Sequence, residues 1–316
     1  MSTLLTGASG FVGSALLARL ATRAQEQTVV ASRGPLQQTL PLVRVHDVGD
    51  ATGSPDWSAA LEGVAVVAHL AARAHVLNDQ AGDPLAAYRA VNTLATLRLA
   101  QQAASAGVRR FVFVSTAKVH GELSPSGRPF TEAMPPMPGD PYALSKWEAE
   151  QGLAAIAART GMEVVIVRPP LVYGPGVKAN FATLLHAVAR GSPLPLATID
   201  NQRSLVGLDN LVDFLLLCLE HPAAANQTFL VSDGKDLSTP QLLQRLGQAM
   251  GRSARLWPMP AALLMAGATL LGRGAVAQRL CCNLQIDITK ARTMLNWSPP
   301  VSVDEGLRRA VQGLAP

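Results

Sequence analysis

The sequence predicts a doubly wound α/β fold, a parallel sheet with helices on both faces, followed by a smaller C-terminal lobe. Over the first two thirds of the 316 residues, short apolar runs alternate with segments of helical length. That order imposes parallel strand pairing through helical crossovers. The runs are nearly continuous in Val, Ile and Leu, as strands covered on both faces require. Composition agrees: 48% hydrophobic against 16% charged residues excludes a disordered chain and leaves core for one large domain or two ordinary ones.

Each element follows in order. Leu4-Leu5 end the first strand, and Phe11 to Leu20 continue with helical spacing. Thr28-Val29-Val30, Leu42-Val43-Arg44-Val45 and Val64 to Leu70 read as the second, third and fourth strands. Tyr88 to Ala106 is an Ala- and Leu-rich helix stopped by Gly107. Arg110 to Ser115 is a strand, Pro141 to Arg159 a helix and Glu163 to Arg168 a strand. Pro169, Pro170, Pro175, Pro193 and Pro195 then punctuate loops. A helix over Asn210 to Leu219 and a strand over Thr228 to Val231 return to the main sheet. Residues 1–175 and 204–232 are therefore expected to form the sheet domain, and 176–203 and 233–316 the smaller lobe.

Other classes are set aside. The net charge of +5 from 27 Lys+Arg and 22 Asp+Glu contains no run of five basic residues, so no nucleic-acid partner is expected. Ala261 to Leu271 is apolar, but at about half the ~20 residues a membrane span needs it reads as a core or interface helix. Cys218, Cys281 and Cys282 cannot build a disulfide framework, and the adjacent pair lacks zinc-ligand spacing. They read as reduced, mostly buried thiols in a cytoplasmic protein. Glycines begin at Gly7, too soon for a signal-peptide apolar region, so none is expected.

Gly7-Ala8-Ser9-Gly10-Phe11-Val12-Gly13 stands where the first strand gives way to a helix. Glycines there permit a tight turn, the approach of backbone amides to a pyrophosphate, and close helix–strand packing. The helix N-terminus faces the phosphates with its partial positive charge. Tyr142 and Lys146 stand four apart behind Asp140 and Pro141, a capping residue and a first-turn proline, so both project from one helix face. Hydride transfer at a carbinol needs a proton carrier. A tyrosine near pKa 10 serves only where a neighbouring cation stabilises its phenolate.

Thr6-Gly7-Ala8-Ser9-Gly10-Phe11-Val12-Gly13 resembles the TGxxGxxG cofactor signature of the short-chain dehydrogenases/reductases. With Tyr142-x-x-x-Lys146 and the chain length, the resemblance narrows to the extended branch, the nucleotide-sugar epimerase/dehydratase family. It implies a Rossmann-type sheet binding NAD(P), with Ser9, Phe11 and Val12 joining the glycines at the phosphates. Asp47 and Val48 are then expected near the adenine, and Leu70-Ala71-Ala72 where the cofactor passes. Ser115 and Pro169 complete that surface, while His69 reads as structural. Ser32 and Arg33 end the second strand. An acid at this place would bind the ribose hydroxyls of NAD, whereas a hydroxyl and a guanidinium suit a 2′-phosphate, so NADP(H) is favoured and NAD(H) stays open.

The segment Ser115-Thr116-Ala117-Lys118-Val119-His120-Gly121 resembles the family's Ser-Ser/Thr-x-x-Val-Tyr-Gly, which implies that Thr116 is the third catalytic residue beside Tyr142 and Lys146. His120 replaces the family's tyrosine. Dehydratases of the family carry an Asp-Glu pair where this chain has Ala117 and Lys118. Dehydration is therefore not expected, and Lys118 is a candidate substrate contact. Arg168-Pro169-Pro170-Leu171-Val172-Tyr173-Gly174-Pro175-Gly176 resembles the loop joining cofactor to sugar, Asn180 and Arg203 match positions that meet the nucleotide diphosphate, and Arg279 is a candidate second phosphate ligand without such a match. The resemblance implies C4 chemistry on a UDP-sugar. The expected reaction is reduction of a UDP-4-keto-6-deoxy-hexosamine in surface-polysaccharide precursor synthesis, with a UDP-hexose(amine) 4-epimerase holding NAD as the alternative. A non-catalytic NAD(P)-binding sensor or scaffold is the reading from another class. A homodimer is expected through residues 85–104 and 141–158.

Overall fold

The computed structural model describes residues 2–23, 27–32, 42–53, 55–74 and 82–312. The strands in chain order are β1 (Thr3–Thr6), β2 (Thr28–Ser32), β3 (Val43–Asp47), β4 (Val66–His69), β5 (Arg110–Val114), β6 (Glu163–Arg168), β7 (Leu171–Tyr173), β8 (Leu205–Gly207) and β9 (Thr228–Leu230). Seven of them form one sheet in the order β3-β2-β1-β4-β5-β6-β9, every neighbouring pair parallel. The remaining β7 and β8 pair in parallel as a separate two-stranded sheet. This is a Rossmann-type α/β architecture, doubly wound as expected.

The β-period of two sorts the strand side chains onto two faces. Leu5, Val30, Val112 and Val165 pack on one face with Leu16 and Leu20 of the helix Phe11–Ala21 and with Phe214 of the helix Leu208–Glu220. Their neighbours Leu4, Val29, Phe111 and Val164 pack on the other face with Leu99, Ala103 and Leu153. A third cluster joins Tyr173, Phe181, Leu185 and Leu196 to Leu243, Leu246 and Leu307 in the second half of the chain.

Strand order reverses between β1 and β4, whose ends Thr6 and His69 stand in register. Open α/β sheets bind ligands in the crevice beyond the carboxyl ends of the strands at such a switch point. Parallel register carries every strand to that same edge, so Gly7, Ser32, Asp47, Leu70, Ser115 and Pro169 all lie along it.

Several boundaries differ from the sequence reading for identifiable reasons. The third strand starts at Val43, because Leu42 sits at φ 60°, a left-handed conformation that no strand residue adopts. The long helix starts at Pro84, where Asp83 accepts from the Ala86 N–H at 3.0 Å. Its residues Arg89–Leu94 form a π-helical segment before the α-helix resumes over Ala95–Ser105. The apolar helix Ala261–Leu270 is not a core helix: none of its residues is buried. A helix apolar on every side cannot encode which side packs, and only Leu264 turns toward the third cluster. Of the cysteines, only Cys218 is buried; Cys281 and Cys282 are half-buried thiols.

Candidate active site

The three glycines of the first turn are needed for different reasons. Gly7 has φ +75°, and a Cβ there would sit 2.6 Å from the Ala71 nitrogen and 2.7 Å from the Leu70 carbonyl carbon. A Cβ on Gly13 would overlap the Gly7 carbonyl. Both are demanded by the packing of strand, turn and helix. Gly10 is different: it is exposed, donates to Gly7 O at 2.9 Å, and a Cβ on it would have only Gly7 O, 3.1 Å away, as a neighbour. Its missing side chain opens the N-terminus of Phe11–Ala21 outward, with exposed Ser9 beside it and no acidic residue in the first turn. The leading N–H groups of a helix lack intrahelical partners, and here they face an uncrowded surface suited to a pyrophosphate. These residues fit the NAD(P) that the turn implies.

Next along the edge, Ser32 pairs in register with Asp47, and Val48 donates to Ser32 O at 3.0 Å. The Asp47 carboxylate accepts from Gly49 N at 2.9 Å. Arg33 lies outside the described residues, as does the Asn180 side chain. Across the switch point, Leu70 N donates to Thr6 O and Ala71 N to the Thr6 hydroxyl, at 3.3 and 3.2 Å, with Ala72 exposed beyond them. His69 is locked as a structural residue. Thr96 gives its proton to Asn92 O, so it accepts from His69 Nε2–H at 2.9 Å, and the Thr6 hydroxyl donates to His69 Nδ1 at 2.7 Å. Burial, with Lys146 nearby, holds the imidazole down at about 3 and therefore neutral.

The helix Pro141–Thr160 carries the Tyr/Lys pair. Asp140 caps it, accepting from Ala143 N at 2.7 Å, while its other oxygen takes a 2.7 Å hydrogen bond from Lys118 Nζ. Lys118 also donates to Glu122 at 2.7 Å, so its charge is committed to two carboxylates at the helix cap. Tyr142 is half-buried, edge-on to Tyr88 with ring centroids 6.0 Å apart. Burial, with Asp140 beside it, pushes its phenol above the ordinary value. Lys146 is buried, with its amine 4.4 Å from the Phe113 ring centroid and donating to Val114 O at 2.8 Å. Burial pushes it down to about 7, against the opposing charge of Glu150 one turn along.

Thr116 is buried at the end of β5 and its hydroxyl accepts from Lys118 N at 3.3 Å. The segment rests on β6, with Ser115 N donating to Val167 O at 2.7 Å and Ala117 N to Pro169 O at 2.9 Å. Beneath it lies a buried ionic network that sequence reasoning missed. The Ser115 hydroxyl donates to Glu150 Oε1 at 2.5 Å, and Arg168 grips both oxygens of Glu150, its Nε at 3.1 Å from Oε1 and its second amine on Oε2. Arg168 also donates to His120 Nε2 at 2.8 Å, which puts the imidazole proton on Nδ1. Burial and Arg168 push His120 down to about 4. The histidine that stands for the family's tyrosine is thus a neutral acceptor for a buried guanidinium.

Asn92 was missed too. Fully buried within the π-helical segment, it accepts from Arg73 N at 2.8 Å and donates to Arg73 O at 3.1 Å and to Ser145 Oγ at 3.0 Å. It fastens the loop after β4 to the helix of Tyr142 and Lys146. An Asn inside an Ala- and Leu-rich helix was the available signal. On the other side of the site, Arg203 donates to Cys282 O at 3.1 Å and exchanges backbone hydrogen bonds with Leu237 at 2.9 and 3.1 Å. Burial lowers its pKa, while Arg279 lies exposed in the last turn of the helix Gly274–Cys281. Among the described residues no group of His, Cys, Asp or Glu is arranged to hold a metal ion.

The chain is 44% identical over 312 residues to a UDP-glucose 4-epimerase of Vibrio cholerae, covering 98% of this chain and 94% of the relative. A UDP-glucuronic acid 4-epimerase of Bacillus cereus, solved in complex with NAD, superposes with a TM-score of 0.80 at 23% identity, covering 99% of this chain and 96% of that one. A UDP-glucose 4-epimerase of Thermotoga maritima, solved with UDP-glucose, gives 0.79 at 24%, covering 99% and 98%. The family model of the NAD dependent epimerase/dehydratase family matches residues 3–232. The chain is an enzyme of the extended short-chain dehydrogenase/reductase type, and it belongs to the NAD dependent epimerase/dehydratase family.

Proposed function

We propose that the enzyme is a UDP-hexose or UDP-hexosamine 4-epimerase that works with tightly held NAD. The observation that carries this reading is the 44% identity, over 98% of the chain, to a UDP-glucose 4-epimerase. Of the two reactions left open by the sequence, epimerisation is thereby favoured over C4 reduction. The turn Gly7–Gly13 with its helix N-terminus would hold the pyrophosphate, Ser32 and Asp47 the adenosine side, and Leu70–Ala72, Ser115 and Pro169 the approach to the sugar. When bound, the cofactor accepts hydride from the sugar's C4 and returns it to the opposite face.

Tyr142 takes the proton of the C4 hydroxyl and gives it back when the carbonyl is reduced. A phenol raised by burial does this only beside a cation, which Lys146 supplies from the same helix face. Burial works against the charge of Lys146 and Glu150 works for it. The Thr116 hydroxyl holds the reacting oxygen. Elimination of water has no acid–base pair here, because Ala117 has no titratable group and Lys118 is engaged by Glu122 and Asp140. Arg203 and Arg279 meet the diphosphate of the UDP-sugar, where charge-assisted hydrogen bonds suit guanidinium groups. A second copy packs against the neighbouring helices of residues 84–105 and 141–160, where Leu94 is exposed.

A second reading, C4 reduction with NADPH, is favoured by one observation: Ser32 is followed by Arg33 rather than an acid. The two readings separate when purified enzyme is given UDP-glucose or UDP-N-acetylglucosamine with no added reductant. Appearance of the C4 epimer, with NAD released on denaturing the protein, is the expected result. Turnover only of a 4-keto sugar, with stoichiometric NADPH oxidation, would overturn epimerisation.

A further inference from the structure

We propose that the hairpin of helices Ala261–Leu270 and Gly274–Cys281 seats the enzyme on an anionic phospholipid surface. Residues 256–272 contain no charged side chain. A surface helix ordinarily keeps a polar face toward water, yet Ala261–Leu270 buries none of its residues and its one hydroxyl, Thr269, donates back to Met265 O at 2.8 Å. Leu263, Leu270 and Leu271 are 65%, 88% and 78% exposed. On the inner side, Leu264, Ala277 and Leu280 hold the hairpin against the third hydrophobic cluster or its own partner helix, so the outward face is fixed rather than awaiting burial in the same lobe. Trp257 and Val276 are exposed beside it.

Charge identifies what covers this face. Residues 237–286 contain five arginines and no Asp or Glu. They account for the entire net charge of +5, since the rest of the chain balances 22 Lys+Arg against 22 Asp+Glu. Arg252, Arg255 and Arg273 are exposed in the same stretch of chain as the hairpin, whereas Arg245 is paired with Asp304. An apolar hairpin with an exposed tryptophan nearby, in a stretch of chain that carries arginines and no acids, matches the boundary between anionic headgroups and acyl chains. Ten residues of helix span about 15 Å, half the hydrocarbon thickness, so the hairpin lies in the interface and does not cross it. A second copy is disfavoured because a two-fold contact would bring like-charged rims together.

The full-length protein is tested by cosedimentation with phosphatidylcholine vesicles and with vesicles in which about a third of the lipid is phosphatidylglycerol. Binding to the anionic vesicles only, with release at about 0.5 M salt where the Debye length is a few ångströms, is expected. The double variant Leu270→Glu/Leu271→Glu should lose at least about tenfold in vesicle affinity, because it places charge where apolar side chains enter. Arg255→Gln and Arg273→Gln should each lose about fivefold. All three variants keep wild-type turnover of soluble UDP-sugar, and Leu263→Gln serves as a second probe of the apolar face. Equal binding of wild type and the leucine variants, or no binding to either vesicle, would overturn the proposal. So would an assembly that falls from dimer to monomer in Leu270→Glu/Leu271→Glu without vesicle binding by the wild type, which would assign the face to a second copy.

Discussion

Two regions of the molecule invert the usual distribution of side chains in opposite ways. At the carboxyl edge of the sheet, Lys146, Glu150, Arg168, Asn92 and His69 are buried, each with named hydrogen-bond partners. On the hairpin of residues 261–281, leucines stand in water. Buried polar groups are tolerated only when satisfied, and their stability rests on partners being complete. Exposed leucines cost the isolated fold little, since apolar atoms are a normal part of protein surfaces. The edge is therefore a place where substitutions break folding or chemistry, and the hairpin one where they change only association.

That contrast can be broken or sharpened by substitution. The largest expected effect is Tyr142→Phe, which should lower turnover by about two to four orders of magnitude with unchanged retention of bound cofactor; near-normal rates would remove Tyr142 from the proton path. Glu150→Gln should follow, costing about 3 kcal/mol in denaturant unfolding because Arg168 is left buried without its countercharge. Since Glu150 raises the Lys146 pKa, the same variant should also move the alkaline limb of the kcat/KM profile to lower pH. An unmoved limb would reduce Glu150 to a purely structural role.

A smaller effect comes from His69. Its pKa is depressed from 6.5 to about 3 in the folded state, so the unfolded chain binds the extra proton between those values. The stability contribution is complete above pH 6.5 and is lost as pH falls, at up to ~1.4 kcal/mol per pH unit. His69→Gln should flatten that slope in the range above carboxylate titration, with His120, depressed to about 4, leaving a residual slope of the same sign. The smallest effect is Leu270→Asn, expected to shift stability by less than about 0.5 kcal/mol. A loss of several kcal/mol there would show that the leucine is packed and would end the contrast.

What was legible in the sequence was local. The glycine turn, the Asp140–Pro141 cap and the four-residue spacing of Tyr142 and Lys146 are short-range patterns whose physics is complete within one element. The parallel pairing of the strands was legible because each crossover has helical length. The network beneath the site was not, because its partners are 18, 35 and 48 residues apart and meet only when β5 and β6 pair in register. The π-helical turn at Asn92 was hidden for a related reason: the pattern is helical on both sides, and the extra residue is held by Arg73 and Ser145 from elsewhere. The hairpin's orientation was illegible because uniform apolarity has no face. Its setting was written in the charges: the net +5, which contains no run of five basic residues, is concentrated within residues 237–286.

The most direct test of the account follows the hydrogen on C4 by NMR while the purified enzyme acts on a UDP-sugar in D2O without added reductant. Epimerisation by removal and return of hydride at C4, with Tyr142 carrying the hydroxyl proton, predicts that the C4 epimer accumulates with protium retained at C4 and no net change in nicotinamide absorbance. Deuterium at C4, or no epimer unless NADPH and a 4-keto sugar are supplied, would contradict it.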